Sequence, residues 1–291
     1  MQDVNIKTKI HKKHMLTPLR YPGGKTSLFG FFDTIIKENE LKNVNYIEPY
    51  AGGAGAAISL LLLGKVNSIV INDYDKAIYA FWKSITENTD DFIRRIRNTP
   101  INIDEWHKQK AIYKNGSKDL TELGIATFYL NRTNRSGILT AGPIGGLAQD
   151  GEWRLDARFN RERLIDKIKL IGTYQDKIKV LNEDGLDVIR RFAQDSNSFF
   201  YIDPPYYYKG SLLYLSSYNH NDHASLAKLL NSLSNARWIL SYDNVPQIHE
   251  LYKTRPQKHE FSLHYQAHSS KEGSELMIFS DILKIPRQPL S

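Results

Sequence analysis

Between residues 45 and 279 short apolar runs alternate with helix-like stretches, an order that suits a parallel sheet with helices on both faces. A short strand at 46–48 ends in a glycine-rich turn, a helix is expected at 56–63, a strand at 68–71 and a helix at 77–85. The rhythm stops near Thr99-Pro100 and resumes with a strand near 177–180. A helix at 186–192, a strand at 199–202 buried on both faces, a helix at 224–233 and a strand at 238–241 complete it. The runs 259–265 and 275–279, joined through 269–273, predict an antiparallel β-hairpin at the sheet edge.

The interruption holds helical segments at about 104–113 and 120–130, then a hairpin-like stretch, 135–154, with Gly137, Gly142, Gly145, Gly146 and Gly151. The expected organisation is therefore a sheet domain from 15–97 and 166–291, a mainly helical insert with a hairpin at 98–165, and a flexible basic arm at 1–14. Lysine plus arginine number 39 against 32 acids, and residues 94–169 carry 15 basic and 9 acidic side chains with aromatics between them. That pattern fits a surface for a polyanion, or a solvated lysine-rich exterior, and charge alone does not separate the two. No run approaches the roughly 20 apolar residues that span a bilayer, and no apolar segment follows Lys12-Lys13, so neither a membrane protein nor a secretion signal is expected. The absence of cysteine removes disulfides, thiolate zinc sites and cysteine nucleophiles, and suits a reducing cytoplasm.

Two motifs carry chemistry. Glu48-Pro49-Tyr50-Ala51-Gly52-Gly53-Ala54-Gly55-Ala56 lies where a first strand turns into a first helix, so its glycines let the backbone approach a ligand and the helix offers oriented N–H groups. Asp73 closes the next strand, at the spacing where an acid accepts hydrogen bonds from ribose hydroxyls, which points to an adenosine-type ligand. The turn lacks the third glycine of the dinucleotide fingerprint. Gly24-Lys25-Thr26 lacks the upstream glycine and strand of a phosphate-binding loop.

The second motif is Asp203-Pro204-Pro205-Tyr206, delivered by the strand 199–202 to the sheet edge where ligands bind. Two prolines make a rigid turn rich in acceptors, which suits an amino substrate. The amine of adenine is a poor nucleophile because its lone pair is delocalised. Accepted by the Asp203 carboxylate and the Pro204 carbonyl, that nitrogen moves toward tetrahedral geometry and can attack a sulfonium methyl directly, with no cysteine and no metal. A base in a duplex must first rotate out, at a few kcal/mol, and Tyr206 can return about 1–3 kcal/mol by stacking, with Tyr207 and Tyr208 covering the pocket.

Together these residues resemble the Dam-like, D12 class family of adenine-specific DNA methyltransferases in its alpha motif order. The resemblance rests on Arg20-Tyr21-Pro22-Gly23-Gly24-Lys25, the turn from Glu48, Asn72-Asp73, and Asp203 to Tyr206, and covers most of the chain. It implies a Rossmann-like S-adenosylmethionine-dependent methyltransferase sheet with an inserted DNA-recognition domain. It further implies that Tyr21, Lys25, Glu48, Tyr50, Gly52, Asp73, Asp184 and Asp203 bind S-adenosyl-L-methionine, which leaves as S-adenosyl-L-homocysteine.

Phe128-Tyr129-Leu130-Asn131-Arg132 is similar to the family's helix leading into a DNA-reading hairpin, while the sequence after it departs from the GATC-specific members. Arg132, Asn134 and Arg135 are candidates for base-edge or phosphate contacts, or alternatively for capping their own hairpin. The expected substrate is double-stranded DNA and the expected locations the cytoplasm and nucleoid. The expected assembly is a monomer or weak dimer, with a cognate restriction endonuclease as a possible partner. N4-cytosine methylation, RNA methylation and a non-catalytic DNA-binding regulator on the same fold are the competing readings; Ser and Asn respectively are more usual at the place of Asp203 in the first two.

Overall fold

The computed structural model describes residues 16–20, 25–208, 218–263 and 273–286, so the proposed arm at 1–14 and Tyr21 lie outside the described residues. Strands β1 (Asn45–Glu48), β2 (Ser68–Asn72), β3 (Ile178–Leu181), β4 (Ser198–Ile202) and β5 (Arg237–Asp243) pair in parallel. β6 (Lys258–Leu263) and β7 (Gly273–Phe279) form the antiparallel edge, with β7 seated against β5. The sheet order is β3-β2-β1-β4-β5-β7-β6, so the chain reverses direction across the sheet between β1 and β4. A crevice opens at such a reversal, outside the C-terminal ends of the strands.

Side chains of a strand alternate between its two faces, and both faces here are covered. In β4, Phe199 and Tyr201 enter one core while Phe200 and Ile202 enter the other. The first core collects α1 (Phe29–Glu38), α2 (Gly55–Leu62), α3 (Lys76–Glu87), α4 (Thr89–Asn98), α5 (Ile103–Asn115), α6 (Leu120–Thr133) and α7 (Arg161–Gly172). The second collects α8 (Gly185–Phe192), α9 (His220–Ser232) and α10 (Pro246–Leu251). Helices α1, α4, α7 and α10 were not anticipated from the sequence. α4 and α7 are short amphipathic segments whose apolar residues, Phe92, Ile93 and Ile96 in one and Leu164, Ile165, Ile168 and Ile171 in the other, find burial only against neighbouring helices.

Helix α6 packs directly on α3, and α5 packs on α6. Phe81 stacks on Phe128 with ring centroids 5.7 Å apart, and Phe92 and Phe159 meet Phe128 edge-on. The stretch 135–154 does not form the expected hairpin. It contains one isolated antiparallel bridge, Asn134 with Pro143, among turns. The reason is local: Gly145 and Gly146 take φ of +81° and +71°, which breaks an extended run, and the Asn134 amide claims the Ile138 and Leu139 carbonyls that a ladder would need.

Phe128 is fully buried and surrounded by three aromatic rings. Phe128→Ala is expected to lower stability by about 3–5 kcal/mol, read as a drop in the urea midpoint by circular dichroism.

Candidate active site

β4 ends at Ile202, and Asp203 follows at the C-terminal edge of the sheet beside the turn that leaves β1. Ser241 on β5 donates to Asp203 Oδ1 at 2.6 Å, and the Ser241 hydroxyl also lies 2.8 Å from the Tyr201 hydroxyl. The other carboxylate oxygen, Oδ2, lies 3.4 Å from Lys25 Nζ. Lys25 is 7 % exposed; its ammonium donates to the Tyr206 hydroxyl at 2.8 Å and approaches Glu275 Oε2 on β7 at 3.3 Å. A buried ammonium requires such counter-charge. Pro204 and Pro205 are buried, and the turn after Tyr206 is held by Asp243, whose two oxygens accept from the Tyr207 and Tyr208 N–H groups at 2.9 and 3.0 Å.

The glycine-rich turn is fixed from four sides. Asp73 Oδ2 accepts from Gly52 N at 2.8 Å, Trp82 Nε1 donates to Gly52 O at 2.9 Å, Thr17 Oγ1 donates to Gly53 O at 2.6 Å, and Asn72 Nδ2 donates to Pro49 O at 2.8 Å. Gly52 adopts a φ of +47°, a conformation that glycine takes at little cost. Burial raises the Asp73 carboxyl to about 7, against the opposing pull of the Asp75 and Gly52 N–H bonds.

Tyr50 lies over Gly185, where an added Cβ would come within 2.4 Å of the ring, and its hydroxyl is 2.8 Å from that of Tyr218. Asp184 is exposed and caps α8 by accepting from Leu186 N at 2.8 Å. Glu48 faces inward: its Oε1 accepts from Ala57 N at the start of α2, and burial pushes its carboxyl up to about 8.

Asn134 is fully buried. Its amide oxygen accepts from Trp106 Nε1 at 2.7 Å and its nitrogen serves two loop carbonyls, so the DNA contact considered for it is replaced by bracing of its own loop. Arg135 is exposed, with its guanidinium against Gly142. Arg132 is half-buried, and its Nε is enclosed without a hydrogen-bond partner. Burial, followed by the charges of Arg20, Arg158 and Arg163, lowers Arg132 to about 10. Burial and the charges of Arg132 and Arg163 lower Lys167 to about 8. Among the described residues none of Arg20, Arg132, Arg135, Arg158, Arg163 and Lys167 forms an ion pair with an acid.

The sequence motifs thus converge: Lys25, Asp203 and Tyr206 meet directly, and Tyr50, Gly52 and Asp73 line the neighbouring turn. Glu275, Ser241, Asp243, Arg158, Arg163 and Lys167 were missed. Glu275 had a visible signal, an acid at the head of the strand-like run Leu276-Met277-Ile278-Phe279, because a charge carried into a buried strand needs a partner.

A doubly covered sheet with a glycine turn and an Asp-Pro-Pro-Tyr motif at its reversal defines a Rossmann-like methyltransferase. The model of the D12 class N6 adenine-specific DNA methyltransferases matches residues 21–271, and the chain belongs to that family. It is 25 % identical over 260 residues, 81 % of this chain and 87 % of the relative, to the Type II methyltransferase M.MjaIII of Methanocaldococcus jannaschii. It is 22 % identical over 262 residues, 89 % of this chain and 95 % of the relative, to the Type II methyltransferase M.CviBI of Paramecium bursaria Chlorella virus NC1A. The solved rRNA methyltransferase aviRa from Streptomyces viridochromogenes overlaps 90 % of this chain and 88 % of its own, with 12 % identity and a TM-score of 0.37. The protein is a DNA methyltransferase, and S-adenosylmethionine is the methyl donor that this membership implies.

Glu48 supplies a test of the buried turn. Its folded value of about 8 lies above the ordinary 4.5, so its stabilising contribution is complete below about pH 4.5 and is lost as the pH rises through about 8. Glu48→Gln, which has no proton to lose, is expected to gain about 1–3 kcal/mol relative to the parent protein between about pH 5 and pH 9, measured by urea denaturation.

Proposed function

We propose that this chain methylates the N6 amine of adenine in double-stranded DNA at a short recognised sequence after rotating the base out of the helix. The observation that carries the reading is the placement of Asp203 and Pro204 at the end of β4, next to the turn from β1, where the strand order reverses. When bound there, S-adenosyl-L-methionine supplies an electrophilic methyl group. The residues fit that donor: Asp73 keeps lone pairs beyond its two N–H bonds and can accept ribose hydroxyls, and Tyr50 presents a ring held by Gly185 and Tyr218. Gly52 lies beside Asp73 and the exposed Asp184 carboxylate near Tyr50, while Lys25 would act from beneath through Asp203.

Ser241 and Lys25 fix the Asp203 carboxylate in one orientation before substrate arrives. Its remaining lone pairs and the Pro204 carbonyl then accept hydrogen bonds from the two amine N–H groups and localise the nitrogen lone pair, and the cation formed on methylation loses one proton, so catalysis rests on positioning and prearranged acceptors. Tyr206 is anchored at its hydroxyl by Lys25, which keeps its ring in one orientation for stacking. Arg20, Arg132, Arg158, Arg163 and Lys167 supply unneutralised positive charge for the DNA backbone, and residues 98–165 are the unit we assign to target recognition. The type II naming of the relatives supports a cognate restriction endonuclease as partner.

Incubation with labelled donor and unmethylated DNA, followed by nucleoside mass spectrometry, is expected to yield N6-methyladenine, with Asp203→Ala lowering the rate at least about 100-fold while the circular dichroism spectrum is retained. N4-methylcytosine as the product would overturn the adenine assignment. Arg132→Ala is expected to weaken DNA binding and to reduce the slope of log affinity against log salt by about 0.9 for each phosphate that is no longer neutralised, measured by fluorescence anisotropy.

A further inference from the structure

Glu275 is a buried charge that the mechanism above leaves unused. It lies on β7 opposite Asp243 of β5, is fully enclosed, and places Oε2 3.3 Å from Lys25 Nζ. The same ammonium is 3.4 Å from Asp203 Oδ2 and bonds the Tyr206 hydroxyl. One lysine is therefore shared between two carboxylates, only one of which heads the Asp-Pro-Pro-Tyr motif.

The charge balance gives the second carboxylate a purpose. Asp203 and Lys25 alone sum to zero, and a neutral ion pair offers little field to a nitrogen that becomes cationic as it is methylated. With Glu275 the three groups sum to −1, fixed in place before the reaction in a poorly hydrated site, where such charge acts most strongly. Asp243 on β5, opposite Glu275, is a further carboxylate nearby, and its two oxygens are committed to the Tyr207 and Tyr208 N–H groups. The remaining groups around Asp203 and Glu275 among the described residues are Tyr46 and Glu48 on β1, Tyr201 on β4, Tyr206 after it, and Tyr242 on β5. Burial keeps these tyrosines neutral and raises Glu48 to about 8.

We propose that Glu275 is a positioning residue for methyl transfer: through Lys25 it gives the Asp203 site a net negative charge that stabilises the cation forming at the target amine. The inference rests on the methyl-transfer reading above. A role confined to pairing a buried lysine would alter stability and leave the chemical step intact. Burial and the Asp203 charge raise the Glu275 carboxyl above its ordinary range, while Lys25 pulls it down. Protonation of Glu275 as the pH falls through that raised value returns the site to neutrality, so the acidic limb of the rate profile carries its signature.

The experiment is single-turnover methylation of unmethylated DNA from labelled donor across pH, with donor and DNA affinities measured in parallel. Glu275→Gln, close in shape and without charge, is expected to slow methyl transfer at neutral pH at least about tenfold and to move the acidic limb to lower pH, while both affinities stay within about threefold. Glu275→Asp restores the charge and is expected to recover part of the rate. In a Lys25→Met background, where Glu275 lacks its cationic partner, adding Glu275→Gln is expected to change the rate less than about twofold. An unchanged rate in Glu275→Gln, an acidic limb that does not move, or equal losses from Glu275→Gln with and without Lys25 would overturn the proposal. Absence of methyl transfer by the parent protein would instead overturn the functional reading on which it rests.

Discussion

An ammonium removed from water must be met by counter-charge, and Lys25 meets it with residues from two distant parts of the chain. Asp203 follows the central strand β4, Tyr206 lies one turn beyond, and Glu275 belongs to the antiparallel edge. The lysine thereby fixes where the segment before α1 crosses the sheet edge. Because Tyr206 is bonded to the same nitrogen, the motif's carboxylate and its aromatic ring are positioned by a single side chain. Asp243 then holds the following turn by accepting two successive backbone N–H groups, so the rigidity begun by Pro204 and Pro205 continues to Tyr208.

The second half of the site is organised from the backbone outward. Asn72 binds Pro49 and both the N–H and C=O of Glu183, so one buried amide links the ends of β1, β2 and β3. Asp73, the next residue, binds Gly52 and Asp75. The acid expected to serve a ligand therefore also shapes the turn that would receive it. Occupying both oxygens once leaves further lone pairs, and partial withdrawal from water sharpens the response of such a group to whichever donor approaches.

How much of this was legible follows from what each element needs from its neighbours. The parallel strands were readable because burial on both faces makes them continuous apolar runs: Phe199-Phe200-Tyr201-Ile202 admits few other readings. The Asp-Pro-Pro-Tyr motif and Asp73 were readable because strand ends deliver them. Helices α4 and α7 were not, since segments of this length owe their stability to packing against each other and against α3. The glycine-rich 135–154 stretch misled because glycine marks turns of every kind. Its shape is decided by Asn134, whose amide closes the loop locally on Ile138 and Leu139 while accepting from Trp106, a partner that sequence spacing does not express.

The positive charge of the 94–169 region shows why composition and geometry must be read together. Many cations there are neutralised locally: Arg94 and Arg95 pair with Asp91, Arg95 also with Asp119, and Arg97 with Glu162. Arg161 is spent on the carbonyls at the end of α4. These account for the solvated-surface half of the original ambiguity, and exposed pairs of this kind contribute little to stability. What survives the subtraction is compact. Burial lowers the proton affinity of Arg20 in the N-terminal segment, Arg132 at the end of α6 and Lys167 on α7, and the neighbouring charges of Arg158 and Arg163, both exposed, lower it further. A folded chain that keeps half-buried cations together without an acid spends stability on them, and an anion that enters the group recovers it. Net charge alone could not distinguish a solvated exterior from this arrangement. The pairing pattern does, and it places the uncompensated charge where Arg20 meets helices α6 and α7.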